Sequence, residues 1–179
     1  MKKVSSSVIN STLYFLLFSI AIVCAYRGQF QHPHRNSSIY QYFQSAGFNL
    51  IKFKQDWGSL RVGWTASDQP IVVGGKRYVA AIGAHANSKI WLETKNTQPD
   101  VELSGSCAYP DRFVNRVRCS IRQGTKSLFH AELSPANRKI PFSVSIDKSK
   151  PIVLGMSPLS NNINNAHGAW LELKLTQRK

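Results

Sequence analysis

The chain has 179 residues, with 23 Lys and Arg against 9 Asp and Glu, for a formal net charge of +14. One domain or slightly more fits this length. With 42% hydrophobic and 11% aromatic residues the chain can bury a core, which excludes a disordered or acidic solvating protein, and nine carboxylates disfavour an all-carboxylate metal cage.

Residues 1–26 read as a signal peptide or N-terminal membrane anchor. Lys2 and Lys3 precede an apolar run from Leu13 to Tyr26, and Val23-Cys24-Ala25 offers small residues for cleavage. The run is shorter than the roughly 20 residues a spanning helix prefers, which favours cleavage; an uncleaved anchor would tether the chain to a membrane. Either way the remainder is expected to be secreted or extracytoplasmic. Lys2, Lys3, Arg27 and Arg35 fall in 1–35 with no acidic residue, so the rest of the chain carries 19 cationic against 9 anionic side chains.

Residues 27–47 read as a linker and lead-in, and residues 48–179 as the folded domain. From residue 48 the apolar pattern has period two, as expected for strands with one buried face. Leu60, Val62 and Trp64 alternate with Arg61 and Gly63, which places Trp64 in the core. Trp57, just before Gly58, stands at a strand entrance where it could line a rim. Gly74-Gly75 reads as a hairpin turn. Val117, Cys119 and Ile121 alternate with Arg116, Arg118, Ser120 and Arg122. Leu171, Leu173 and Leu175 alternate with Trp170, Glu172 and Lys174, which puts Trp170 on the face away from the leucines. Nine or ten short strands without crossover helices predict an all-β antiparallel sandwich or barrel.

An oxidising compartment pairs Cys107 with Cys119. Their midpoint, Phe113, follows the turn-like Tyr109-Pro110-Asp111-Arg112, so a hairpin there would set the two cysteines opposite each other. The alternative is two buried thiols on separate strands.

No nucleotide fingerprint, CxxC, HExxH or GxSxG motif occurs, so no catalytic residue is assigned and the chain is expected not to be an enzyme. A hydrolase with dispersed catalytic residues is the enzymatic alternative. Two loop-to-strand stretches concentrate polar planar groups: Ile82 to Ile90, with Gly83, His85, Asn87 and Ser88, and Asn161 to Trp170, with Asn165 and His167. Sugars pair their hydroxyls with such groups and lay their C–H faces on aromatics. His85, Asn87, Asn165 and His167 are therefore the candidate hydrogen-bonding residues and Trp170 the candidate stacking surface, while Gly83 and Ser88 would shape the first loop. A second reading makes Arg112, Arg116, Arg118 and Arg122 an anion-binding row for acidic polymers. Nucleic acid is not an expected partner, because the aromatic interleave of a single-strand binder is missing.

These two stretches carry a resemblance. Trp57-Gly58, then Gln69 to Tyr78, then Ala81-Ile82-Gly83-Ala84-His85-Ala86-Asn87-Ser88, and finally Asn165-Ala166-His167-Gly168-Ala169-Trp170 follow, in order, the motifs of the NPCBM family. That family of carbohydrate-binding modules is associated with glycoside hydrolases and related to carbohydrate-binding module family 51. The resemblance implies a jelly-roll-like β-sandwich that binds glycans without catalysis, with terminal galactose or a cell-surface polysaccharide as partner. It also implies a structural calcium, but Ala169 replaces an acidic residue usual in the terminal motif and Asn165 stands where Asp is common. That loss of carboxylates weighs against calcium and against the usual sugar preference, and no cofactor is expected.

Overall fold

The period-two pattern folds into two five-stranded antiparallel sheets packed face to face in the computed structural model, which describes residues 37–95 and 101–177. The signal-peptide or anchor reading for 1–26 lies outside those residues. The first sheet orders β1 (Phe48–Lys54), β6 (Ser88–Thr94), β11 (Ile152–Pro158), β8 (Val117–Gln123) and β9 (Lys126–Leu133). The second orders β10 (Lys139–Ile146), β7 (Val101–Ala108), β12 (His167–Gln177), β5 (Ala81–His85) and β2 (Arg61–Val62). A small hairpin of β3 (Val72–Val73) and β4 (Lys76–Arg77) turns at Gly74-Gly75, as expected.

Between the sheets lies the main core. Ile90, Leu92, Ile121, Ile152 and Leu154 point inward from the first sheet and meet Ile82, Leu103 and Trp170 from the second. The β3–β4 hairpin caps the outer face of the second sheet, where Ile71 and Val73 pack on Ala81, Ala108, Ala169 and Leu171. Asp111 ties that hairpin down: its carboxylate accepts from the Gly74 and Gly75 amides at 3.0 and 2.9 Å and pairs with Arg138 at 2.6 Å.

Two expectations about chain direction need correction. The segment read as a linker contains helix α1 (Ser38–Ser45), capped by Ser37, whose Oγ accepts from the Tyr40 amide. Ile39 and Phe43, four residues apart on one helical face, are buried in the main core, so the packed body begins before residue 48. Cys107 and Cys119 do form a disulfide, but not across a hairpin. Cys107 lies on β7 of one sheet and Cys119 on β8 of the other, with Cα atoms 6.6 Å apart. The intervening chain is an arch over the end of the sandwich, and the bond staples sheet to sheet.

Candidate glycan-binding cleft

His85 ends β5 and His167 begins β12, and the register sets them opposite each other. Their rings lie 5.0 Å apart, centroid to centroid, at 80°. Trp57 covers both, 5.4 Å from His85 and 5.9 Å from His167, while 53% of its surface stays exposed. Phe113, from the arch, stacks on His167 with ring centroids 3.9 Å apart. Trp57, His85 and His167, with Ser67, Ile163, Asn164 and Asn165, line a cleft of about 470 Å³ at one end of the sandwich.

The local sequence explains how each wall is held. Trp57 reaches its place because Gly58 has a φ of +72° and presses against Ala66, where a Cβ would come within 2.3 Å of the Ala66 carbonyl oxygen. Thr65 closes the turn that presents Ser67: its Oγ1 accepts from the Gln69 amide at 3.2 Å and its amide donates to the Gln69 carbonyl. The Asn-rich loop is joined to the β5–β6 corner by the Ala86 amide, which donates to the Ala166 carbonyl at 2.7 Å. The Asn115 side-chain amide donates to the Asn164 carbonyl, which holds the loop to the arch.

Both histidines are neutral at neutral pH. Burial pushes His85 below its ordinary value, although the Ala86 and Ile163 carbonyls and the Asp56 charge pull it back. Its Nδ1 lies 3.1 Å from the Ala86 carbonyl, and its amide donates to Gln55 Oε1. Burial pushes His167 further, to about 4, and the His85 ring adds to that push. His167 Nδ1 and Gln55 Nε2 are buried with no hydrogen-bond partner among the described residues. A polar atom in that position costs about 1–3 kcal/mol.

The sequence-derived candidates therefore separate. His85, His167 and Asn165 come together in the cleft. Asn87 does not: with a φ of +65° it turns the chain from one sheet to the other, and it lines a different groove with Ser88. Ser88 begins β6 and is buried, with its hydroxyl unpartnered among the described residues. Gly83 sits inside β5 rather than in a loop, where a Cβ would come within 2.2 Å of the Trp64 carbonyl oxygen.

Trp170 is a correction. It is fully buried in the main core, packed edge-on against Phe142, and presents no face to a ligand. The cause is a bulge on β12 between Leu171 and Lys174, with Glu172 at a φ of +54°. The extra residue sets Trp170 and Leu173 on the same inner side and leaves Leu171 under the β3–β4 hairpin. Trp64 is corrected in the opposite sense: it is 40% exposed, because the chain turns at Gly63. The aromatic surface of the cleft belongs to Trp57, which the sequence marked only as a rim position. Ser67 and Asn164 carried no separate mark in the sequence.

Arg118 and Arg122 share the exposed face of β8, as the alternation predicts, and Arg112 stands apart from them. Arg116 and Arg118 share Glu132 at 3.1 and 2.7 Å, and their pull holds that carboxyl below the usual carboxylate range. Arg112 lines a cleft by the arch, and Arg122 faces a groove on the first sheet. As for calcium, no group of three or more His, Cys, Asp or Glu side chains converges among the described residues, so they do not offer the carboxylate-rich oxygen shell this ion takes.

A two-sheet antiparallel sandwich with a polar and aromatic cleft among its end loops defines the structural class. Residues 43–176 match the NPCBM/NEW2 domain, and the chain belongs to that family. Among curated proteins it is similar to alpha-1,3-galactosidase B of Akkermansia muciniphila, at 25% identity over 130 residues, which is 70% of this chain and 16% of that protein's length. Among solved structures it resembles the CBM51 from Clostridium perfringens GH95 in complex with methyl-galactose. The TM-score is 0.61 at 16% identity, over 69% of this chain and 92% of that one. It also resembles the structure of CBM51-2 in complex with GlcNAc and INT domains from Clostridium perfringens ZmpB, with a TM-score of 0.60 at 19% identity, over 71% of this chain and 29% of that one.

Proposed function

We propose that this chain is a non-catalytic carbohydrate-binding module that holds a neutral terminal sugar in the cleft between Trp57 and the Asn-rich loop. The observation that carries this reading is the exposed indole of Trp57, set over two neutral histidines beside Ser67, Asn164 and Asn165. The indole offers a flat apolar surface to the C–H side of a pyranose, and the carboxamides and hydroxyl offer paired donors and acceptors to its hydroxyls. Uncharged imidazoles suit an uncharged ligand. None of the described residues lining the cleft is a carboxylate, so the acid pair that glycoside hydrolysis takes is not supplied there. The methyl-galactose and GlcNAc of the similar structures, and the galactosidase relative, support terminal galactose as the first ligand to try. The leader reading adds that this binding takes place outside the cytoplasm, with the chain released or tethered to a membrane.

Calorimetric titration with methyl-galactoside and GlcNAc, together with a glycan array, tests the proposal. Saturable binding is expected, weakened about tenfold or more by Trp57→Ala. Absence of saturable binding to every glycan, or a Trp57→Ala protein that binds as well as the parent, refutes it.

A further inference from the structure

The arch that carries the chain from β7 to β8 walls a second cleft, of about 490 Å³. Its lining is Gln69, Pro70 and Val72 on one side and Asp111, Arg112 and Phe113 from the arch on the other. Two features make it a neighbour of the glycan-binding cleft. The Phe113 ring, which lines the second cleft, lies 3.9 Å from the His167 ring, which lines the first, centroid to centroid. Gln69 closes the same turn, begun at Thr65, that presents Ser67 to the first cleft. A pair of stacked rings and one tight turn are thus the partition between them.

Arg112 gives this second cleft its chemistry. Asp111, one residue before it, is held firmly: its amide donates to the Val72 carbonyl at 2.7 Å, and its carboxylate accepts from the Gly74 and Gly75 amides and pairs with Arg138. That carboxylate and Arg138 match one to one in charge. The Arg112 side chain, by contrast, is exposed and has no hydrogen bond, ion pair or ring contact among the described residues. The exposed Gln69 carboxamide is likewise without a partner among them. Backbone geometry adds to the case. Arg112 has a φ of +77°, the left-handed region where glycine turns a chain freely and a Cβ is strained. Glycine would serve the turn better; what arginine adds there is five N–H donors in a rigid fork.

We propose that the second cleft binds an acidic group, sulfate or carboxylate, on the sugar next to the terminal one held in the glycan-binding cleft. This rests on the first cleft holding a terminal sugar. The Arg112 fork matches the paired oxygens of such a group bidentately. Gln69 supplies a donor and an acceptor for a neighbouring hydroxyl, and Pro70 and Val72 offer an apolar wall to the C–H side of the ring. A nucleic acid strand would need further cations along its backbone, and Arg112 is the one cationic residue among the described lining.

The test is titration of the full chain at physiological salt with methyl-galactoside, N-acetyllactosamine, and N-acetyllactosamine sulfated at O6 of its GlcNAc unit. Inorganic sulfate serves as the free anion. The sulfated disaccharide is expected to bind about fivefold or more tighter than the neutral one. Arg112→Gly should erase that preference, leave the affinity for methyl-galactoside unchanged and keep the parent's melting temperature, because glycine suits the turn. Arg112→Asn, also tolerated at positive φ, is expected to behave alike. Lys126→Ser removes the same charge at the end of β8 away from the arch and should change the preference less than about twofold. With methyl-galactoside still bound, three results overturn the proposal and leave the glycan-binding cleft standing. They are equal affinity for the two disaccharides, a preference that survives Arg112→Gly, and inorganic sulfate bound as tightly as the sulfated disaccharide. Absence of binding to every saccharide would remove the glycan-binding cleft itself, and this proposal with it.

Discussion

A neutral imidazole at position 167 links the cleft to pH. The native state holds the His167 pKa near 4, whereas the unfolded chain has the ordinary value of 6.5. Between those values the unfolded state binds a proton that the folded state refuses, so stability is full above pH 6.5 and falls as the pH drops towards 4. The loss is expected to be about 1–2 kcal/mol once solvent access from the cleft is allowed for. His85 adds to it in the same direction, because burial lowers its pKa as well. Asp147 is held at about 2 by its hydrogen bonds to Ser149 and its pairing with Lys150, so its contribution is lost below this window. Denaturant unfolding at pH 7 and at pH 4.5 should therefore differ less in His167→Gln than in the parent. Equal pH dependence in the two proteins would show that His167 is not the proton-linked group. The sequence made the two histidines legible because each sits in a polar stretch at a strand end. It did not distinguish Trp57 from Trp170, since exposure there depends on a left-handed glycine in one case and a bulge in the other.

The alternation that made the strands readable is also what misled at β12. Period two holds only while each residue faces one partner, and the bulge at Glu172 resets the count. Trp170 is consequently a core residue between β5 and β7, and Trp170→Ala is expected to cost about 3–5 kcal/mol of stability. Under conditions where the variant remains folded, its affinity for a neutral sugar should match the parent's. A variant as stable as the parent, but unable to bind, would restore Trp170 to the site. The same limit applies to the cysteine pair. The turn-like residues from Tyr109 to Arg112 were visible, but a turn that returns to its own sheet and an arch that crosses to the other use the same residue types.

At the scale of the whole molecule, the sandwich is two sheets with one covalent tie between Cys107 and Cys119. Closing this loop, with 12 residues of sequence separation, stabilises by about 3 kcal/mol through the unfolded state. Replacing both cysteines by Ala is expected to lower the melting temperature by about 10 °C. An unchanged melting temperature would mean that the bond adds nothing to what the packed sheets already hold. The net charge, which dominates the composition, says little about the cleft: its described lining residues carry neither Lys nor Arg.

The 11-residue strand β12 gives the molecule two poles. His167 starts it at the cleft, and roughly 20–26 Å further on it runs beside α1, where the Leu173 amide donates to the Tyr42 hydroxyl and the Leu175 amide to the Ala46 carbonyl. Gln177, a margin of the described domain, belongs to that second pole. Whatever polypeptide or surface adjoins the domain there stands behind it like a wrist behind a fingertip. A sugar approaching from the opposite side meets the cleft without having to pass the attachment.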